Sequence, residues 1–155
     1  MNYESLLNEA STNDICVVEN ASFESQADGL INGNVIGLNK NIPTTTKKAC
    51  ILAEELGHYH TTTGNILDET KTSNRKQELR ARLWAYNKLI GLQGIIRCHN
   101  AHCRTLNEMA EFLEVTESFL KEAVDCYKAK YGTYTIVDNY IIGFELYLYI
   151  IERFE

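Results

Sequence analysis

A short segment in the first half of the chain contains the residue types of a metal-dependent hydrolase. Residues 53–58 read A-E-E-L-G-H. Glu54 and His58 are four residues apart, so on a helix their side chains lie on one side and could bind the same ion. Glu55 is then placed to act as general base on a metal-activated water. The segment departs from the H-E-x-x-H zinc motif because Glu54 stands at the position of the first histidine.

A third ligand has to come from elsewhere, because a catalytic zinc site takes three protein ligands. Glu78 lies 20 residues after His58, near the start of a second predicted helix. That distance leaves room for a turn and an antiparallel return, and a glutamate at such a spacing is usual in one large class of zinc-helix proteases. Glu54, His58 and Glu78 are therefore the candidate metal ligands, and Glu55 is the candidate base.

His60 and Asp68 are further candidates, either to support the ligands by hydrogen bonds or to replace one of them. His60 is two residues from His58, about 200° round an ideal helix, so it could contribute only if the helix ends near Gly57 or Tyr59. A ligand set of two carboxylates and one imidazole carries more negative charge than a set of one carboxylate and two imidazoles. Such a set would shift the preference from zinc towards harder ions such as manganese, and a degenerate site would hold no metal.

The hydrophobic pattern predicts the elements that position these residues. A short helix at 3–10 and a strand at 15–18 precede two apolar pairs around Asn32-Gly33-Asn34, which favour a hairpin and a small antiparallel sheet. Pro43 and three threonines then start a helix. Its apolar face is formed by Ala49, Leu52, Ala53, Leu56 and Tyr59, and Gly57 allows close backbone approach.

A second helix is predicted from about 75 to 89. Its main apolar stripe is predicted at Leu79, Leu83, Tyr86 and Ile90, while Glu78 shares a side with Ala81, Arg82 and Ala85. Further on, Thr105 and Glu108 form a capping box, and Thr116 caps the next helix. The last segment alternates around Asp138-Asn139 and predicts a C-terminal β-hairpin. We expect one domain over 1–155, with a core at 1–92, a helical segment at 93–130 and the hairpin at 131–155.

The composition limits the classes of function. The chain has 155 residues, 45% of them hydrophobic and 23% charged, which is typical of a globular protein. Its net charge of −6 does not indicate direct binding of nucleic acid. No apolar run is long enough to span a membrane, and no secretory signal is recognisable, so we expect a cytoplasmic protein. The five scattered cysteines predict reduced thiols. Cys98, His99, His102 and Cys103 are close together in sequence, whereas structural zinc sites draw their ligand pairs from separated segments. We therefore expect these cysteines to be small buried side chains and not zinc ligands.

Two segments together resemble the ImmA/IrrE family of metallopeptidases. They are EELGHYHTTTGNILDE and RKQELRARLWAYNKLI, and the second carries E-x-x-A-x-x-[FW]-A at residues 78–85. The stretch LNEMAEFLEVTESFLKEAVDCYKAKYG is similar to the helical segment of that family, so the resemblance extends from about 29 to 132. It implies an α+β, zincin-like fold, with the small sheet packed on the active-site helix. It also implies that Glu55 is the general base, that His58 and Glu78 bind zinc, and that Glu54 replaces the first histidine.

The resemblance implies a cytoplasmic zinc endopeptidase of the kind that phages and integrative elements carry, which cleaves a helix-turn-helix repressor and derepresses the element. The acidic side chains of residues 105–130 fit a basic DNA-binding partner. The alternative is a non-catalytic regulator of the same fold that binds a repressor without cutting it. The Glu54 substitution leaves enzymatic activity undecided, and the paired motifs favour an enzyme.

Overall fold

A computed structural model describes residues 2–62 and 71–154, with the side chains of 71–73 excepted. It is a mixed α+β structure, which confirms the predicted fold class and is consistent with a zincin-like fold. The chain divides into two compact units, Met1–Leu89 and Ile90–Glu155. The single-domain organisation stays a prediction. Within the described ranges, none of the helices has the length and apolar character needed to cross a membrane.

Over its described residues, 2–62 and 71–89, the first unit contains three helices and a three-stranded sheet. In chain order these are α1 (Tyr3–Thr12), β1 (Cys16–Ala21), β2 (Gly29–Asn32), β3 (Val35–Asn39), α2 (Thr45–Thr61) and α3 (Lys71–Leu89). The central helix is α2, which packs against α1, α3, β2 and β3. This arrangement places the segment that carries Glu54, Glu55 and His58 between the sheet and α3.

The sheet has the strand order β1-β3-β2. The predicted hairpin is present: β2 pairs antiparallel with β3, and Gly33 in its turn has φ 61°, a conformation that glycine adopts without strain. The sheet is not wholly antiparallel, because β1 pairs parallel with β3. The reason is that β3 lies between β1 and β2. Residues 22–28 lead from the end of β1 to the far edge, where β2 runs back in the opposite direction, and β3 then reverses again into the direction of β1.

Helix α2 begins where the sequence predicts. Thr44 is its N-cap, and the Thr44 Oγ1 accepts a 3.1 Å hydrogen bond from the Lys47 N–H, which satisfies one of the free donors of the first turn. The buried side of the helix includes Ala49, Leu52, Ala53 and Leu56, as the periodicity predicts, whereas Tyr59, the fifth predicted member, is exposed. The helix continues to Thr61, beyond Gly57 and Tyr59.

The predicted apolar stripe of α3 is wrong in part. Leu79 is 57% exposed, whereas Ala81 and Ala85 are fully buried. Small side chains occupy the packed side because the backbone of α2 comes very close at this point. The side of α3 that carries Glu78 is therefore the side that meets α2.

The second unit consists of α4 (Gly91–Asn100), α5 (Leu106–Leu113), α6 (Glu117–Tyr131), β4 (Tyr134–Val137), β5 (Tyr140–Gly143) and β6 (Tyr149–Glu152). The capping box of Thr105 and Glu108 is confirmed, and Thr116 caps α6 through a hydrogen bond from the Phe119 N–H. The predicted hairpin is formed by β4 and β5. A third strand, β6, extends it to an antiparallel sheet of order β4-β5-β6.

Candidate functional site

The crossing of α2 and α3 is closest at Gly57. A Cβ atom built on Gly57 would lie 2.2 Å from the backbone oxygen of Ala81, so no side chain fits there. The prediction that Gly57 allows close backbone approach is confirmed. Because the two backbones nearly touch, the residue next to Gly57 and the residue one turn before Ala81 are brought within reach of each other.

Those two residues are His58 and Glu78. The Nε2 atom of His58 lies 3.2 Å from the Oε2 atom of Glu78, although the two residues belong to different helices. Both side chains are partly exposed, at 28% and 45%, so the pair is open to solvent and to a ligand. The other oxygen of Glu78, Oε1, accepts a 3.0 Å hydrogen bond from the Nε of Arg82.

Glu55 is the carboxylate whose chemistry is most changed by its surroundings. Burial raises the pKa of Glu55 to about 7, and the negative charges of Glu54 and Glu78 add to the effect. A carboxyl group with a pKa near neutrality exchanges protons readily at physiological pH, which is the property that general-base catalysis needs. The structure therefore places a group suited to proton transfer beside the His58–Glu78 pair.

The donor set fits a divalent cation in its chemistry. Imidazole and carboxylate are both zinc ligands, and His58 and Glu78 already face each other. Within residues 2–62 and 71–154, no three His, Cys, Asp or Glu side chains converge in the manner of a complete metal site. The structure thus brings two of the three predicted ligands together. Glu54 is half-buried next to Glu55, and its role as the third ligand stays a prediction.

His60 is directed to a different part of the first unit. Its ring stacks on Trp84 with 4.8 Å between ring centroids, and its Nε2 lies 3.8 Å from the Oε1 of Glu9 on α1. Glu9 in turn pairs with Lys88 at 2.6 Å. Since α2 does not end near Gly57, the condition under which His60 could join the ligands is not met. Asp68 lies outside the described residues.

Arg82 is not among the predicted site residues, yet it contacts one of them. The sequence signal for this contact is the four-residue spacing between Glu78 and Arg82, which brings side chains together on a helix. Burial lowers the pKa of Arg82. The hydrogen bond to Glu78 and the charges of Glu78, Tyr86 and Glu54 outweigh that effect and raise it. Arg82 therefore lies in the electrostatic field of two of the predicted metal ligands.

Comparison with protein families identifies a family model that matches this chain. The family model described as the IrrE N-terminal-like domain, peptidase family M78, matches residues 14–125, more than half of the chain. The matched range includes Glu54, Glu55, His58 and Glu78. A search of curated proteins and a search of solved structures each returned no match.

Proposed function

The chain belongs to the family of IrrE N-terminal-like domains, a metallopeptidase-type family, and on that premise we propose that it is a zinc-dependent endopeptidase. The membership confirms the resemblance found from the two sequence motifs. The observation that carries the proposal is the His58–Glu78 contact of 3.2 Å, with Glu55 on the same helix as His58. Two metal-binding donor types and a proton acceptor are thus concentrated where α2 and α3 cross.

The proposed reaction assigns a role to each of the four predicted residues where α2 and α3 cross. His58 and Glu78 would hold the metal, with Glu54 as the third ligand. Zinc bound there would supply a Lewis acid for the scissile carbonyl and make water more acidic. Glu55 accepts the proton of the attacking water and delivers it to the leaving amine, and the burial of its carboxyl group favours the protonated form between these two steps.

Glu54 bears on the choice of metal. A ligand set of two carboxylates and one histidine carries more negative charge than a set with two histidines. It stabilises a divalent cation more strongly and suits harder ions better, so manganese is the alternative to zinc. Comparing zinc and manganese occupancy in wild type and in Glu54→His would show whether this residue sets the preference.

The proposed substrate is a helix-turn-helix repressor, and the proposed compartment is the cytoplasm, where such a repressor works. Support comes from the surface of α5 and α6. Five exposed carboxylates lie on these two helices and the turn between them: Glu108, Glu111, Glu114, Glu122 and Asp125. Opposite charges on two partners accelerate their association and favour the correct partner, and a DNA-binding protein is basic where it meets phosphate.

The first test is metal content. The untagged full chain, incubated with zinc and then desalted, is expected to hold about one equivalent. His58→Ala and Glu78→Ala are expected to lose the metal. His102→Ala is the matched control, because His102 is exposed and lies in the second unit. A wild-type chain that retains no zinc and no manganese would remove the metal from the proposal.

The second test separates the enzyme from its alternative, a non-catalytic regulator that binds the repressor. The alternative is favoured by the ion pair between Arg82 and Glu78, which engages a predicted ligand. Purified chain is mixed with a helix-turn-helix protein encoded in the same gene neighbourhood. Cleavage that stops with a chelator and in Glu55→Gln, while Glu55→Gln keeps its metal, supports the peptidase. A stable complex without cleavage products, in the presence of bound zinc, supports the regulator.

A further inference from the structure

Arg82 engages a predicted metal ligand directly. Its Nε donates a 3.0 Å hydrogen bond to the Oε1 of Glu78, while the Oε2 of the same carboxylate lies 3.2 Å from His58. Both oxygens of Glu78 therefore have a partner. Arg82 is the residue that holds the carboxylate from the side opposite His58.

The surroundings of Arg82 are rich in negative charge. Glu54 and Glu78 both act on Glu55, and the same two carboxylates act on Arg82. Three carboxylates that approach one another repel, and a nearby cation lowers the cost of keeping them ionised. In the protein without metal, the guanidinium of Arg82 supplies positive charge to the same carboxylate that a divalent cation held by His58 and Glu78 would bind.

We propose that Arg82 is the counter-ion of the metal-free site and that it competes with the metal ion for Glu78. The competition rests on the proposed function, because it needs a metal at His58 and Glu78. A guanidinium and a divalent cation that share one carboxylate repel each other, so each weakens the binding of the other. Arg82 then sets the concentration of free metal at which the site fills, and it offsets the extra carboxylate that Glu54 introduces.

The experiment compares three forms of the full chain: wild type, Arg82→Gln and Arg80→Gln. Arg80 is the matched control, since it is an exposed arginine on the same helix two residues away. Each protein is stripped with a chelator, and its affinity for zinc is measured by competition with a chromophoric chelator. Arg82→Gln is expected to bind zinc roughly 3- to 20-fold more tightly than wild type, and Arg80→Gln is expected to match wild type.

A second measurement uses the metal-free protein and so does not depend on zinc. Thermal unfolding in chelator is recorded for wild type, Arg82→Gln, Glu78→Gln and the double variant, again with Arg80→Gln as control. Because Arg82 neutralises Glu78, we expect Arg82→Gln to lower the midpoint more than Arg80→Gln does. Neutralising Glu78 as well should restore part of that loss, so that the two changes are not additive.

The outcomes are distinguishable. Equal zinc affinity in wild type and Arg82→Gln overturns the competition and leaves the proposed metallopeptidase intact. No zinc binding in any of the three proteins overturns the metal-dependent function and the competition with it. Additive effects of Arg82→Gln and Glu78→Gln on the metal-free protein overturn the counter-ion role. Tighter zinc binding in Arg82→Gln, together with non-additive unfolding, supports both parts.

Discussion

Gly29 of β2 lies directly against Glu55 of α2. A Cβ atom built on Gly29 would lie 3.0 Å from the Oε1 and 3.1 Å from the Cγ of Glu55, and 2.7 Å from the Cγ2 of Ile51. The sheet therefore contributes to the burial that raises the pKa of Glu55. The edge strand β2 and helix α2 meet at the carboxyl group to which we assign proton transfer.

Gly29→Ala is expected to lower peptidase activity with little loss of fold. The new methyl group cannot fit unless Ile51 or Glu55 moves, and displacing a catalytic group by a fraction of an ångström reduces the rate by about tenfold or more. Activity and far-ultraviolet circular dichroism are measured together. Val18→Ala, at an exposed position of β1, serves as control. Unchanged activity in Gly29→Ala would mean that catalysis does not depend on the placement of the Glu55 carboxyl group against Gly29.

The stability of the metal-free protein is expected to depend on pH through Glu55. Its pKa is raised from 4.5 to about 7 in the folded state, so folding favours the protonated form. The stabilisation is complete below pH 4.5 and is lost as the pH rises through 7. Glu55→Gln mimics the protonated form. At about 1.4 kcal/mol per pKa unit, this variant should be more stable than wild type at pH 8 by at most about 3.5 kcal/mol.

Urea unfolding in chelator at pH 5 and pH 8 measures this difference. The advantage of Glu55→Gln should be small at pH 5 and larger at pH 8. Glu24→Gln, which changes an exposed carboxylate, controls for the loss of one charge. An advantage of the same size at both pH values would show that proton binding by Glu55 is not its source.

Gly57→Ala is expected to destabilise the first unit by about 2–3 kcal/mol, because its Cβ would overlap the Ala81 oxygen and force the helices apart. Gly94→Ala in α4 is a matched change of helical glycine. The nearest atom to its Cβ is the Cδ2 of Leu113 at 3.3 Å, the end of a side chain that can move. We expect Gly94→Ala to stay within about 1 kcal/mol of wild type. Equal effects of the two changes in urea unfolding would contradict the close crossing.

The cysteines are expected to differ in reactivity. All five are free, and Cys98 is buried whereas Cys16 is exposed. Burial raises the pKa of Cys98 to about 12, with further contributions from Cys103, so little thiolate is present at pH 8. Iodoacetamide should label Cys98 at least roughly 100-fold more slowly than Cys16. Peptide mass spectrometry follows the two rates, and labelling in denaturant shows that both thiols can react. Similar rates in the native protein would contradict the burial of Cys98.

The local signals of the sequence were sufficient to predict several elements of the fold. Thr44 as N-cap, the hairpin at Gly33 and the capping box at Thr105 depend on neighbouring residues, and all three are present. The order and spacing of two motifs predicted that His58 and Glu78 lie close together, and the structure shows them in contact. Such features are determined within a few residues or by a known motif order, and for that reason they can be predicted from one sequence.

Other features depend on contacts between distant segments and were missed. The parallel pairing of β1 with β3 follows from how residues 22–28 cross the sheet, which no local pattern records. The stripe through Leu79 was misplaced because large apolar residues were assumed to face the core. In fact the approach of Gly57 to Ala81 selects small residues there. The contact of Gly29 with Glu55 likewise joins two elements that are remote in sequence.

The end of α2 at Thr61 has an electrostatic consequence of its own. His58 lies in the last turn of this helix, and its carbonyl oxygen accepts a 3.0 Å hydrogen bond from the N–H of the C-cap residue, Thr62. The aligned peptide dipoles of a helix leave about half a negative elementary charge at this end. A divalent cation bound by His58 would therefore be attracted by the negative end of the α2 dipole as well as by the carboxylates. The backbone of α2 thus adds to the affinity of the site for positive charge, and this contribution does not depend on any side chain.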